Sequence, residues 1–243
     1  MPPVILITRP EPYGAEFAAT LRTLPGGDLP TILSPALQIG ALGTVPDLGA
    51  YRWLIFTSRN GVRYFAGASA RRDIPVYAVG DATADEARRA GMEAISCGGD
   101  ARDLVARIIA DGARGPMLHL RGAHTAADIA GVLTAAGIKT DEAILYSQRS
   151  APLTDAARAC LMGDAPVIAP VFSPRSAAAL FNDVPTTAPV VVLAISDAAA
   201  TCIPEGAARE VIIADHPDMA AMLRAWPQAL SAAYRLEGTI RAE

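Results

Sequence analysis

The decamer FTSRNGVRYF, Phe56 to Phe65, returns as FSPRSAAALF, Phe172 to Phe181, with Arg59 and Arg175 at the same place in each. An internal repeat fixes the architecture that every local reading has to respect. The same offset of 116 carries Val76-Tyr-Ala-Val-Gly-Asp-Ala-Thr-Ala84 onto Val192-Leu-Ala-Ile-Ser-Asp-Ala-Ala-Ala200 without a gap. A second offset, 112, lays Leu6-Ile-Thr-Arg9 over Leu118-His-Leu-Arg121, Leu21 over Leu133, and Ile32-Leu33 over Ile144-Leu145. The chain therefore reads as two related halves, about 4–100 and 116–225.

Within both halves short apolar, β-branched runs alternate with helical patterns. Strands are expected at 4–8, 53–56, 76–79, 94–96, 117–120, 143–146, 167–172, 190–195 and 210–214, with helices between them. The stretch 32–39 looks extended but holds Pro35, which points to an edge or connecting strand. A helix over 218–226 closes the pattern, and the tail 227–243 reads as a surface helix. Strands and helices in alternation, joined by short loops, predict an α/β fold of parallel sheets covered on both faces. At 243 residues the chain can bury one large core or two small ones.

Several function classes fall away at this stage. A net charge of −4 speaks against nucleic acid as a partner, because phosphate neutralisation needs a basic face. The longest apolar run, Val190 to Ile195, is far short of the ~18 residues of a membrane span. The opening Met1-Pro-Pro-Val-Ile-Leu-Ile-Thr-Arg9 lacks the pattern of a signal peptide, so a cytoplasmic protein is expected. Cys97, Cys160 and Cys202 suggest neither a disulfide framework nor a zinc site, and each reads as a buried small hydrophobe. Lys139 is the only lysine, which excludes a P-loop; it reads as plain surface. There is no GxGxxG, GxSxG or HExxH. His119 alternates with apolar neighbours and is expected in the core, His124 lies past a strand end where it could face a ligand, and His216 is expected in solvent.

The candidate site residues gather at the carboxyl ends of the expected strands, where ligands collect in open α/β sheets. They are Arg9, Thr57-Ser58-Arg59-Asn60, Gly80 with Thr83, Arg121, Ser173-Pro174-Arg175-Ser176 and Ser196. Free N–H groups and the positive end of a helix make such turns seats for carboxylate or phosphate. Repeated in two lobes, they suit an anion with many acidic arms. Ordinary helix capping accounts equally for a serine or threonine at any one of them.

Leu6-Ile-Thr-Arg-Pro10, Ser34-Pro35, Leu54-Ile-Phe-Thr-Ser58 with Asn60-Gly-Val62, Tyr77-Ala-Val-Gly80 with Thr83-Ala84, Leu120-Arg-Gly122, Tyr146 and Phe172-Ser-Pro-Arg-Ser176 together resemble the uroporphyrinogen-III synthase family, over about residues 4–225. That resemblance implies two flavodoxin-like or Rossmann-like lobes joined by a two-stranded connector, with the chain crossing twice. Lobe one would be 1–35 with 150–243, lobe two 36–149, and the connector strands about 34–40 and 143–149. It also implies that hydroxymethylbilane, a linear tetrapyrrole, is closed to uroporphyrinogen III with inversion of ring D and loss of water, through an azafulvene and a spiro intermediate. No metal or organic cofactor is implied. The expected protein is a monomer, free of membrane and nucleic acid, in transient contact with hydroxymethylbilane synthase. Tyr146 would donate a proton near the departing hydroxyl. Arg9, Pro10, Ser34, Thr57, Ser58, Arg59, Asn60, Gly80, Thr83, Arg121, Gly122, Ser173, Pro174, Arg175, Ser176 and Ser196 would hold the substrate, chiefly by its carboxylates. In one departure from the family, Ser196-Asp197-Ala198-Ala199-Ala200 stands where relatives carry threonines, and Asp197 would repel a carboxylate unless it caps. Two other classes remain open on the residues: a non-catalytic bilobal binding protein for a small acidic metabolite, and a nucleotide-dependent α/β enzyme, the latter disfavoured by the missing phosphate-loop glycines.

Overall fold

The computed structural model describes residues 1–125, 127–182 and 185–240. In chain order the elements are β1 (Val4–Ile7), α1 (Tyr13–Leu21), β2 (Thr31–Leu33), β3 (Leu37–Ala41), β4 (Trp53–Phe56), α2 (Arg59–Ala68), β5 (Val76–Ala78), α3 (Asp81–Arg89), β6 (Ala94–Ser96) and α4 (Ala101–Ala110). They continue with β7 (Met117–Gly122), α5 (Ile129–Ala135), β8 (Thr140–Ser150), α6 (Asp155–Leu161), β9 (Val167–Val171), α7 (Pro174–Leu180), β10 (Val190–Ala194), α8 (Asp197–Ala200), β11 (Glu210–Ile213) and α9 (Met219–Ile240). The chain divides into two compact units, Met1–Gln38 with Arg149–Glu243, and Ile39–Gln148.

The sheet of the first unit has the order β11-β10-β9-β1-β2, every neighbouring pair parallel. Numbered by chain order and read from β2, this is the flavodoxin-like order 2-1-3-4-5. The strands are nearly all apolar because both faces are covered. Ile5, Ile7, Ile168, Val191 and Leu193 point to the side of α1 and α9, where Phe17, Leu21, Met222 and Trp226 meet them. Leu6, Val167, Ala169, Val171, Val190 and Val192 point the other way, onto Ala157 and Leu161 of α6, Ala177 and Leu180 of α7, and Ala199 of α8. The period of two is thus written into the contacts. β1 and β9 are paired only at Val4↔Val167 and Ile5↔Ile168. Pro170, which has no N–H to give, lies beyond that ladder, and the two strands part company just before Arg9 and Ser173.

The sheet of the second unit runs β3-β8-β7-β4-β5-β6. The β8-β7-β4-β5-β6 portion is parallel throughout. The sequence offsets pair β7, β8, β4, β5 and β6 with β1, β2, β9, β10 and β11, and these pairs occupy the same places in the two orders. Leu54, Phe56, Val76, Ala78, Leu118 and Leu120 pack against α2 and α3 through Val62, Phe65, Ala84 and Ala87. Ile55, Tyr77 and Met117 face α4 and α5, through Leu104, Ile108, Ile129 and Leu133. The β4–β7 ladder ends at Ile55↔His119, two residues short of Thr57 and Arg121.

Three elements differ from the sequence reading. The run 32–39 is two strands, broken at Ser34–Ala36, with β2 in one sheet and β3 in the other. The strand expected at 143–146 extends over Thr140–Ser150. The helix expected to stop at 226 continues to Ile240 through Pro227, and its tail buries Ala229, Ala232 and Ala233, so only part of its surface faces solvent. The end of the expected tail, 241–243, lies outside the described residues, as does Ala126, the first residue of the helix expected over 126–136 between the strands at 117–120 and 143–146. Of the cysteines Cys97 is buried, and burial pushes its thiol up to about 11, while Cys160 and Cys202 are half-buried.

Candidate functional site

In an open α/β sheet a crevice forms where neighbouring strands diverge at the reversal of strand order. In the second unit that point lies between β4 and β7. A cavity of about 370 Å3 opens there, and Thr57, Ser58, Gly122, His124 and Tyr146 line it. Its remaining wall includes Val79, Gly99, Asp100, Thr125, Ile129 and Gln148, and among the described residues no lysine or arginine contributes to it.

Tyr146 on β8 is 6% exposed, stacked on Tyr64 with ring centroids 5.5 Å apart and planes 9° from parallel. Tyr64 is itself fixed, donating from its hydroxyl to Ile39 O at 2.9 Å. Burial pushes the Tyr146 phenol above its ordinary value, against the opposing effect of its hydrogen bond with Ser58. The phenol therefore keeps its proton at neutral pH. A β-carbon on Gly122 would lie 2.8 Å from ring atoms of Tyr146, so a glycine is required where this ring crosses β7.

Behind the cavity wall runs a polar chain. His119 is fully buried; its Nδ1 lies 3.2 Å from Glu142 Oε1 and its Nε2 3.4 Å from Thr57 Oγ1. Glu142 Oε2 accepts from Arg121 Nη2 at 2.8 Å, and Arg121 Nη1 donates to Gly122 O at 3.0 Å. Arg121 Nε is buried with no hydrogen-bond partner among the described residues. His119 and Glu142 are cross-strand neighbours, and Thr57 follows Ile55, the partner of His119, by two positions on the same face. Burial pushes the His119 imidazole down, outweighing the pull of Glu142. Burial also pushes the Glu142 carboxyl up, but Arg121 and His119 outweigh it and hold the group below the usual carboxylate range.

The strand-end serines act as caps of their own helices. Ser58 Oγ accepts from Asn60 N at 3.1 Å, Ser173 Oγ from Ser176 N at 3.1 Å, and Ser196 Oγ from Ala199 N at 3.4 Å. Ser176 is buried, with its hydroxyl donating to Ser173 O at 3.0 Å. Gly80 caps α3 without a side chain, and Thr83 is buried in the first turn. Ser34 is buried and accepts from Thr154 N at 2.9 Å. Asp197 is exposed in the first turn of α8, and Ser196 supplies the cap there.

In the first unit the divergence of β1 and β9 brings Arg9 over Phe172, its guanidinium carbon 4.1 Å from the ring centroid. Pro10 is half-buried beside it, while Pro174 and Arg175 are exposed at the start of α7; in the second unit Arg59 and Asn60 are half-buried in the first turn of α2. The structure thus joins Thr57, Ser58, Gly122 and Tyr146 around one cavity, with Arg121 behind it, and leaves Gly80 and Thr83 in the neighbouring turn. His124 does line the cavity, and His216 and Lys139 are exposed, as their positions suggested. Sequence reasoning missed Asp100, Gln148 and the His119–Glu142 pair. Gln148 was within reach of it, two positions beyond Tyr146 on one strand.

No helix among the described residues is long and apolar enough to cross a membrane, and none of the described His, Cys, Asp and Glu side chains group as metal ligands. A crystal structure of uroporphyrinogen-III synthetase from Helicobacter pylori 26695 resembles this fold with a TM-score of 0.67 at 17% identity, covering 94% of this chain and 99% of that one. A mutant uroporphyrinogen III synthase from the extremely thermophilic bacterium Thermus thermophilus aligns over 95% of this chain and 99% of its own with a TM-score of 0.49 and 12% identity. No curated protein matches the sequence. The family model described as Uroporphyrinogen-III synthase HemD matches residues 26–224, and the chain belongs to the uroporphyrinogen-III synthase family.

Proposed function

We propose that the cavity of the second unit receives the reacting end of hydroxymethylbilane and that Tyr146 is its proton donor. The family's reaction is a cyclising dehydration: the hydroxyl of ring A leaves as water, the azafulvene is attacked by the substituted carbon of ring D, and fragmentation and reclosure give uroporphyrinogen III. Free azafulvene closes head to tail into the symmetric isomer, so the protein has to orient more than it has to activate. The observation that carries the assignment is a neutral, buried phenol on the wall of a cavity at the strand-order reversal. A proton placed beside the departing hydroxyl is what general-acid assistance needs.

The carboxylates of the substrate fall, on this reading, to Arg9, Arg59 and Arg175 and to the first turns after Ser58, Gly80, Ser173 and Ser196. Pro10, Asn60 and Pro174 shape those turns. Arg121 is read as support for Glu142 with one N–H, Nε, to spare. The two units are read as the lobes 1–35 with 150–243 and 36–149, products of one duplicated segment. The matching strand orders support that descent. The protein is further read as a cytoplasmic monomer that needs neither metal nor organic cofactor and takes its substrate from hydroxymethylbilane synthase.

Incubation with freshly generated hydroxymethylbilane, followed by chromatography of the oxidised products, tests the reading. Type III product, formed at the same rate with EDTA present, is expected. Type I product alone would leave a binding protein in its place, and activity lost to EDTA and restored by a divalent metal would overturn the cofactor-free part.

A further inference from the structure

The cavity beside Tyr146 is poorly made for a carboxylate. No lysine or arginine among the described residues lines it, and Asp100, whose own carboxylate accepts from Arg102 N and Asp103 N, forms part of its wall. Besides its carboxylates and the departing hydroxyl, which falls to Tyr146, a linear tetrapyrrole presents pyrrole N–H groups, and these need an acceptor. We infer that Thr57 is that acceptor, and that His119, Glu142 and Arg121 hold it in the accepting state. The inference rests on the tetrapyrrole reading of this cavity.

Proton bookkeeping along the chain gives the direction of every bond. Arg121 Nη2 donates to Glu142 at 2.8 Å, and, against the upward push of burial, Arg121 with His119 holds that carboxyl below the usual carboxylate range, so Glu142 is a carboxylate. An ionised carboxylate is acceptor-only, so His119 has to offer Glu142 an N–H from Nδ1. Neutral imidazole carries a single proton, which leaves Nε2 as a bare lone pair facing Thr57 Oγ1. The one hydrogen of the Thr57 hydroxyl is then spent on His119, and the oxygen turns its free lone pairs to the cavity. Burial, which disfavours a charged imidazole, keeps His119 in this neutral state. Without Glu142 the other tautomer would place N–H on Nε2, and Thr57 would point its hydrogen into the cavity. The carboxylate two strands away thus decides whether the cavity greets its ligand with an acceptor or a donor. His119 touches no ligand in this scheme; it is a positioning residue acting through Thr57.

The tautomer is directly observable. In protein labelled with nitrogen-15 in histidine, two-bond proton–nitrogen correlation spectra distinguish Nδ1–H from Nε2–H, and the His119 signals are those lost in His119→Gln. Nδ1–H at neutral pH is expected; Nε2–H overturns the scheme whatever the protein's activity. Binding of uroporphyrinogen III under reducing conditions tests the ligand group. Thr57→Val is expected to weaken it about tenfold, the value of one hydrogen bond lost, and Thr57→Ser to restore it. In Glu142→Gln the affinity should follow the tautomer read in the same spectra: near the starting value with Nδ1–H, about tenfold weaker with Nε2–H. Tighter binding with Nε2–H would mean that Thr57 faces a carboxylate, and an unchanged affinity in Thr57→Val would mean that it faces nothing. Either result overturns the inference. Failure of the unsubstituted protein to bind the product would instead refute the tetrapyrrole reading, with the tautomer result still standing on its own.

Discussion

A phenol that is buried, stacked and hydrogen-bonded has few ways to move, and Tyr146 is held in all three respects. Replacing it with phenylalanine keeps the stack on Tyr64 and removes the hydroxyl, with its proton and its hydrogen bond with Ser58. Tyr146→Phe is therefore expected to slow turnover by roughly ten- to a hundredfold while still yielding type III product, because orientation rests on other groups. Unaltered turnover with release of type I would show that the hydroxyl orients ring D instead. His119 carries a second expectation, with its sign fixed by burial. Its imidazole titrates below the ordinary 6.5 in the folded state, whereas an unfolded chain binds the proton at about that value. The unfolded state thus takes up protons first as pH falls, and stability is lost progressively below pH 6.5. Urea midpoints measured across this window should decline in the natural protein and decline less in His119→Gln. Loss of the Glu142 contribution follows in a more acidic window, below the ordinary 4.5. The histidine's burial was legible from its apolar neighbours on an alternating strand. Its partners were not, because Glu142 sits in a polar run whose pairing register no local pattern specifies.

At the scale of elements, the strands were readable wherever both faces are buried, since such strands are nearly continuous apolar runs. The apolar pattern gave β8 only as 143–146 and the family resemblance as 143–149; pairing with neighbouring strands, not composition, extends it over Thr140-Asp-Glu and to Ser150. α9 was read as a helix over 218–226 followed by a surface helix in the tail, whereas it runs unbroken through Pro227. A proline inside a helix forfeits one N–H bond and strains the preceding turn, costing ~3 kcal/mol. Here Trp226, fully buried, with Ala229, Ala232 and Ala233 on the same face, supplies enough packing to offset it. The indole also donates to Pro25 O at 3.1 Å, which ties α9 to the loop after α1. Trp226→Ala is accordingly expected to cost about 3–5 kcal/mol, read as a lowered urea midpoint at unchanged slope. A loss under 1 kcal/mol would mean that the helix is anchored elsewhere. The strand-end serines were read both as helix caps and as ligand seats, and Ser58, Ser173 and Ser196 do cap their helices, since a side-chain oxygen is the nearest acceptor for a first-turn N–H.

For the whole molecule, the strand order shows that one unit is a single stretch of chain and the other is not. Ile39–Gln148 is continuous, while the other unit joins Met1–Gln38 to everything after Arg149. The β1–β9 pairing at its centre brings Val4 to Val167, with the whole second unit spliced between them. Translation delivers these pieces in a fixed sequence. β1 and β2 are made before the segment 39–148 and their partner β9 after it. α1 can cover one side early, through Phe17 and Leu21 on Ile5 and Ile7, but Leu6 faces α6, α7 and α8, which come only later. Nascent chains stalled once residue 148 has cleared the exit tunnel are expected to resist brief proteolysis across 39–148 while losing 1–38. Protection of 1–38 at that stage would show an alternative early partner. An apolar strand with one face bare until the chain beyond residue 149 is made leaves a newborn form that calls for a chaperone, even though the finished form encloses Ile5, Leu6 and Ile7 completely.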